Sequence, residues 1–313
     1  TQIITTTLST ISTHKKHIPF PSLSKTFQEA LQITNNLGLR YIWIDSLCII
    51  QDSLSDWEVE SQQMASIYRN SAITICAAKS KDGNGGCFAE GPQTTTLKHL
   101  DTKTNEEIFV KVRKCPSHEG FDDTNNLPLF ARAWTFQEEL LSTRILYYCP
   151  EEIVFQCRTD IDCQCGEISS SLADRGSVTV KRQFEDSFLD DAYVRKVQFQ
   201  WHRVVKQYSA RYSTKESDRL PALSGLSRVF AEKRLGSFVA GLWTKDLPLW
   251  LTWEVFGSPN YKEEYVAPTW SWMNIRSGNQ IHYLLLDGAD PLEENNLEHQ
   301  VRILDIACGL ATS

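Results

Sequence analysis

The sequence predicts an α/β fold: a central, mostly parallel or mixed sheet flanked by helices, with a β-hairpin and a Trp-rich helical and strand-like C-terminal part. Between Ser24 and Ala78, stretches of helical period alternate with short apolar runs, which is α/β grammar. The runs Arg40–Ile44 and Ala72–Ala78 show no polar alternation, as expected of strands covered on both faces.

The first helix is expected after Ser24 or Thr26, either of which can cap it. Phe27, Ala30, Leu31, Thr34 and Leu37 recur at helical spacing, and Gly38 closes the stretch. Arg40–Ile44 follows as a central strand, so Asp45 is expected at its carboxyl end, lining a cavity. A second helix begins near Ser55, where Glu58 completes a capping box. It carries Trp57, Met64, Ile67 and Tyr68 and ends at Asn70. Ala72–Ala78 is the second strand, and Lys79–Gly86 a Gly-rich loop. Asp82–Gly86 lacks the Gly-x-Gly-x-x-Gly spacing and the Lys-Ser/Thr pair of a phosphate cradle, so it reads as a turn.

A helix is expected over Ala131–Ser142, and a hairpin over Ile145–Cys157 around Pro150-Glu151. Arg158–Asp190 is polar and reads as a long loop or insert. Val194, Val197, Trp201, Val204, Val205 and Tyr208 define an amphipathic helix. Another starts at Asp218 with Pro221 in its first turn, and its Ser224-Gly225 reads as a close-packing step. Thr269–Met273 reads as a strand.

Composition narrows the function classes. Of 313 residues, 41% are apolar and 23% charged, the make-up of a globular protein rather than a disordered one. The net charge is −7 with no dense Lys/Arg run, which argues against nucleic acid and anionic membrane as partners. No stretch is long and apolar enough to span a bilayer, and no signal peptide opens the chain. Nine cysteines, scattered through apolar runs, point to buried thiols in a reducing compartment, hence a cytoplasmic protein. The chain starts without Met and stops just after an apolar run, so it is expected to be a piece of a longer protein.

Asp45, Cys48 and Asp52 lie within eight residues, so a carboxylate and a thiol can serve as two proton-transfer groups. The plainer reading is a turn cap and a core cysteine. Glu60 either projects toward the strand ends or is a solvated helix residue. Arg132 and Glu138 either serve a substrate or form an ion pair. The tryptophans Trp43, Trp134, Trp270 and Trp272 either line an apolar pocket or fill the core. Cys157, Cys163 and Cys165, with Cys149 or Cys87, invite a zinc reading. The Cys163-x-Cys165 gap is not the usual one and no fourth ligand is evident, so free thiols and no metal are expected. His118 reads as an exposed lone histidine.

Four segments together resemble the fungal heterokaryon-incompatibility (HET) domain family. They are Tyr41–Asp52; Asp56-Trp57-Glu58 with Glu60, Met64, Ile67-Tyr68 and Ala72; Arg132–Glu138 with Leu140–Ser142 and Arg144; and a dispersed set comprising Tyr208-Ser209, Asp218–Gly225, Ala240–Trp243 and Pro268–Trp272. The family's early Leu-Ser-x-x-Trp-Gly-type motif is absent. The resemblance implies an HET-type α/β core over residues 1–160, a polar loop or insert over 161–190, and a helical, Trp-rich part over 191–313 packed on that core, as one continuous domain truncated at both ends.

For function the resemblance implies two alternatives. One is a cofactor-independent epimerase of fungal natural-product biosynthesis, moving a proton at the α-carbon of an aminoacyl-derived, peptide-alkaloid substrate. Asp45, Cys48, Glu60 and Glu138 are its catalytic candidates. Trp43, Asp52, Arg132, Trp134, Gln137, Trp270 and Trp272 would bind an aromatic or peptide-derived heterocycle, with Arg132 or Gln137 holding the enolate oxygen. The other is a cell-death effector, TIR-like and NAD-cleaving, with Glu60 as the helix glutamate. Neither reading requires a cofactor or metal, and the oligomeric state is left open.

Overall fold

The computed structural model describes residues 3–89, 94–101, 106–116, 118, 127–168, 181, 184, 194–231, 235–255 and 265–284. The chain divides into two compact units, each discontinuous in sequence. The first comprises Thr1–Leu54, Ala72–Leu129 and Thr143–Val178; the second comprises Ser55–Ser71, Phe130–Ser142 and Thr179–Ser313.

The first unit holds the α/β sheet. Helices α1 (Ile11–His14), α2 (Lys25–Asn36) and α3 (Asp45–Cys48) precede strand β1 (Thr74–Cys76). Then come the hairpin β2 (Thr94–Asp101) and β3 (Glu106–Arg113), and the strands β4 (Arg144–Tyr148), β5 (Ile153–Cys157) and β6 (Ile161–Cys163). The sheet order is β1-β4-β5-β6. It is mixed: β1 runs parallel to β4, while β4–β5 and β5–β6 are antiparallel. Helix α2 begins as expected, with Ser24 Oγ accepting from Phe27 N–H, and Gly38, just past the C-cap Leu37, takes a φ of 71°. Its Ile33 packs with Tyr148, Cys87, Ile75 and Leu146, which seats α2 on the sheet. The β4–β5 hairpin turns around Pro150-Glu151, and the buried Tyr147 hydroxyl donates to Gln156 Oε1 at 2.7 Å.

Three expectations are corrected. Arg40–Ile44 is not a strand: the sheet has no place for it, and Tyr41 is 84% exposed. The segment runs irregularly into α3, and the apolar pattern that suggested two covered faces reflects only half-burial of Ile42, Trp43 and Ile44. Asp45 therefore opens a single helical turn instead of ending a strand. The polar stretch after Arg158 contains β6, held by its ladder to β5. Thr269–Met273 is no strand either; a 3-10 turn spans Trp272–Asn274, capped by Ser271 Oγ.

The second unit is a helical, aromatic-cored body. It holds nearly all of α4 (Leu54–Asn70), together with α5 (Ala133–Leu141), α6 (Val194–Ser209), α7 (Arg219–Ala231) and α8 (Leu247–Trp250). Two short ribbons join them, β7 (Phe238–Val239) with β8 (Leu242–Trp243) and β9 (Trp253–Val255) with β10 (Ile281–Tyr283). Trp201 of α6 meets Phe230, Phe238 and Trp243 edge-on at 5.0–5.2 Å between ring centroids, the geometry the ring quadrupoles favour. The two-residue turn between β7 and β8 puts both Ala240 and Gly241 at positive φ, as a primed hairpin turn requires. Gly225 of α7 lies against α4 and α5: a Cβ there would come within 2.5 Å of both Ala65 Cβ and Gln137 Oε1. The close packing expected at Ser224-Gly225 is thus a three-helix contact.

Candidate functional site

In the first unit, the Asp45–Asp52 segment forms an exposed, clasped turn. Asp45 and Cys48 are the first and last residues of α3, and both are exposed. Three residues apart on one helical turn, they face the same way, with Cβ atoms about 5–6 Å apart. The Asp45 carboxylate accepts its own turn's Ser46 N–H at 2.7 Å. Asp52 Oδ1 accepts from Leu8 N–H at 2.8 Å. Trp43, assigned to substrate by sequence, is half-buried beside this turn in the chain.

What holds the turn is a residue the sequence reading passed over. Thr6 is 1% exposed. Its N–H donates to Ser46 O, its C=O accepts from Gln51 N–H, and its hydroxyl donates to Leu47 O at 2.7 Å and contacts His14 Nδ1 at 2.9 Å. A lone threonine in a Thr-rich stretch gives no sequence signal of such a role.

The other site candidates lie in the second unit. Glu60 is half-buried on α4. Arg132 is exposed beside the backbone bridge to Tyr212 that anchors the start of α5. Trp134 is half-buried and meets Trp57 edge-on at 6.5 Å. Gln137 is 1% exposed, and its Oε1 accepts from Gly225 N–H at 2.9 Å, so its carbonyl links α5 to α7. Glu138 is half-buried, its backbone oxygen accepting from Ser142. Trp270 accepts at its backbone oxygen from Trp253 Nε1–H at 2.8 Å. Trp272 is fully buried: its Nε1–H donates to Gly241 O at 3.0 Å, and the Arg219 guanidinium stacks 5.4 Å above its ring. Tyr208, Arg219, Gly241 and Trp272, all from the fourth recognised segment, are thus joined by packing, the Tyr208 hydroxyl donating to Arg219 O at 2.6 Å.

A second constellation in the first unit joins residues that the sequence kept apart. His118 is not exposed but 7% accessible, and its Nε2 stands 2.6 Å from Glu152 Oε1. Cys163 ends β6, and its Sγ lies 3.2 Å from Cys165 Sγ in the next turn. Cys165 Sγ is 3.5 Å from His118 Nε2 and 3.9 Å from Glu152 Oε1. Glu152 Oε2 accepts from Cys165 N–H at 3.1 Å. Burial pushes the Cys165 thiol up to about 12, reinforced by hydrogen bonds with Cys163 and Cys115 and by the Glu152 carboxylate. Cys157, grouped with these thiols by sequence, is engaged instead with Thr159 Oγ1 at 3.4 Å.

Beside this cluster a cavity of about 580 Å³ is lined by Cys87, Phe88, Arg113, Tyr148, Glu151 and Glu152, among others. Burial, with the Glu29 carboxylate adding, pushes the Cys87 thiol up to about 12. Burial, with Glu152, does the same to Cys149. Both thiols are therefore neutral at physiological pH and poor nucleophiles. Asp45 and Cys48 are not among the residues lining this cavity.

No helix among the described residues is long and apolar enough to cross a membrane. No curated protein and no solved structure matches the chain. Residues 4–138 match the family model described as Heterokaryon incompatibility protein (HET), a stretch that takes in the clasped turn and both Glu60 and Arg132.

Proposed function

We propose that the protein acts in heterokaryon incompatibility, as an effector of fungal non-self recognition working in the cytoplasm. The observation that carries this reading is the family match across residues 4–138. The geometry agrees on one point: Asp45 and Cys48 are presented outward on a clasped turn. Such a surface suits contact with a macromolecule better than abstraction of a carbon-bound proton, which gains from a dry, enclosed base. Controlled expression of the full chain in a filamentous fungal host tests it. Growth arrest on induction supports the reading, and normal growth at high protein level counts against it.

A second reading is favoured by one observation. Asp45 and Cys48 share a face of α3 at a spacing that admits a substrate carbon between them. On this reading the protein is a cofactor-independent epimerase of an aromatic or peptide-derived heterocycle. The carboxylate removes the proton next to a carbonyl and the thiol returns one. In deuterated buffer the product would then carry deuterium at that carbon. Asp45→Asn would remove the base and Cys48→Ser the acid. Full turnover by both folded variants would dismiss this reading.

A further inference from the structure

We infer that His118, Glu152, Cys163 and Cys165 form a closed zinc-binding site that fastens one end of the first unit's sheet. Their ligand atoms all lie within 4.8 Å of one another, close enough for small side-chain adjustments to bring all four onto one ion. In a tetrahedral zinc centre, with Zn–N and Zn–S bonds of about 2.0 and 2.3 Å, neighbouring ligand atoms stand about 3.3–3.8 Å apart. The Cys165–His118 edge of 3.5 Å falls in that range and the Cys165–Glu152 edge of 3.9 Å lies just beyond it. The two short edges, His118–Glu152 at 2.6 Å and Cys163–Cys165 at 3.2 Å, are polar pairs brought close by a shared proton or thiol contact. A dication replaces those protons and spreads the pairs.

Three further facts point the same way. The four residues come from three separate segments: the stretch after β3, the β4–β5 turn, and the end of β6 with the turn that follows. His118 and Cys165 are 47 positions apart, so no single loop explains their meeting. His118, Glu152 and Cys163 are 7%, 5% and 9% exposed, and ligating groups are costly to bury unless paired or bound to an ion. Glu152 Oε2 already accepts the Cys165 N–H, the kind of outer contact that orients a ligating carboxylate.

The donor set selects the ion. Two thiols exclude calcium and magnesium, while sulfur with imidazole and one carboxylate in a four-donor arrangement suits zinc. On binding, both thiols release their protons and His118 binds as neutral imidazole. Two thiolates, one carboxylate and the dication leave a net charge of −1 on the site. With all four positions filled by protein no position remains for a substrate, so the role is structural.

The test uses the full chain purified under reducing conditions and supplied with zinc. Metal analysis is expected to give about one zinc per chain. Exchange for cobalt should produce thiolate-to-cobalt charge-transfer absorption in the near ultraviolet together with tetrahedral visible bands. The double variant Cys163→Ser/Cys165→Ser should lose the metal, and His118→Gln should weaken binding at least as much as the roughly 10–100-fold typical of losing an outer-shell partner. Cys157→Ser, outside the cluster, should retain it. The wild-type measurements stand even if the variants fail to fold. Folded wild-type protein without zinc and without a cobalt–thiolate band would overturn the assignment. So would zinc retained by the folded double variant.

Discussion

Replacing Gly225 by Ala sets two physical effects against each other, and the structure decides the sign. In an isolated helix the change is favourable by about 1 kcal/mol, because Gly carries the larger backbone-entropy cost. Here the added Cβ would sit 2.5 Å from Ala65 Cβ and 2.5 Å from Gln137 Oε1. Both neighbours are on packed helices, so relief requires α7 to move or the Gln137 amide to turn. Overpacking of this kind costs about 1–3 kcal/mol. Turning Gln137 also breaks its 2.9 Å bond from Gly225 N–H, worth about 0.5–1.5 kcal/mol. The penalties exceed the helix gain, giving a net loss of about 1–3 kcal/mol and a melting temperature lower by about 3–10 °C for a body of this size. Thermal unfolding followed by tryptophan fluorescence is an apt assay, because Trp201, Trp243 and Trp272 all lie in the same core. An unchanged or raised melting temperature would mean that helix propensity dominates and that the α4–α5–α7 contact is looser than the structure has it.

Two further outcomes follow. Thr6→Val removes the hydroxyl that donates to Leu47 O, so amide exchange at Cys48 and Gln51 should quicken roughly tenfold, as expected for about 1.4 kcal/mol; unchanged exchange would mean the clasp is redundant. The pH at which thiol alkylation sets in should shift in opposite directions for different cysteines. For Cys157 burial raises the pKa, but hydrogen bonds from Thr159 and Asp160 more than offset it, so the thiolate forms below the usual range and labelling begins at lower pH. Cys87 and Cys149, both pushed up to about 12, should label slowly at pH 8 and still gain rate near pH 10. Equal rates for all three at pH 8 would contradict these assignments.

Periodicity made α2, α4, α5, α6 and α7 readable, because each carries enough turns for an apolar stripe and a cap to show. The β4–β5 hairpin was readable for the matching reason: alternating Ile145, Tyr147 and Cys149 flank a Pro-Glu turn. Arg40–Ile44 misled because apolar residues on both faces mark a covered strand only when a ladder partner exists, and the sheet pairs β1 directly with β4. The short ribbons β7–β8 and β9–β10 are too brief for a period to register. Gln137, Arg219 and Trp272 stand in the recognised segments, where spacing alone does not separate binding from packing. Only the backbone partners of their side chains, Gly225 N–H, Ile275 O and Gly241 O, show what they hold. The His118–Glu152–Cys163–Cys165 cluster was illegible because its members span 47 positions and its two thiols have a one-residue gap. A search by sequence spacing does not join such a set, whereas the β5–β6 ladder, which pairs Val154 with Cys163, brings the thiols up to Glu152 in space.

The incompatibility reading is tested most directly in fused cells of a filamentous fungus that carries the gene. The gene is removed from a strain that forms inviable fusions with another natural isolate, and the viability of the new fusion cells is scored. Deletion should rescue the fusions, and restoring the full chain should make them inviable again. Fusions that die regardless of the gene, in a strain whose small-molecule products change stereochemistry on its loss, would contradict that reading and favour the proton-transfer enzyme.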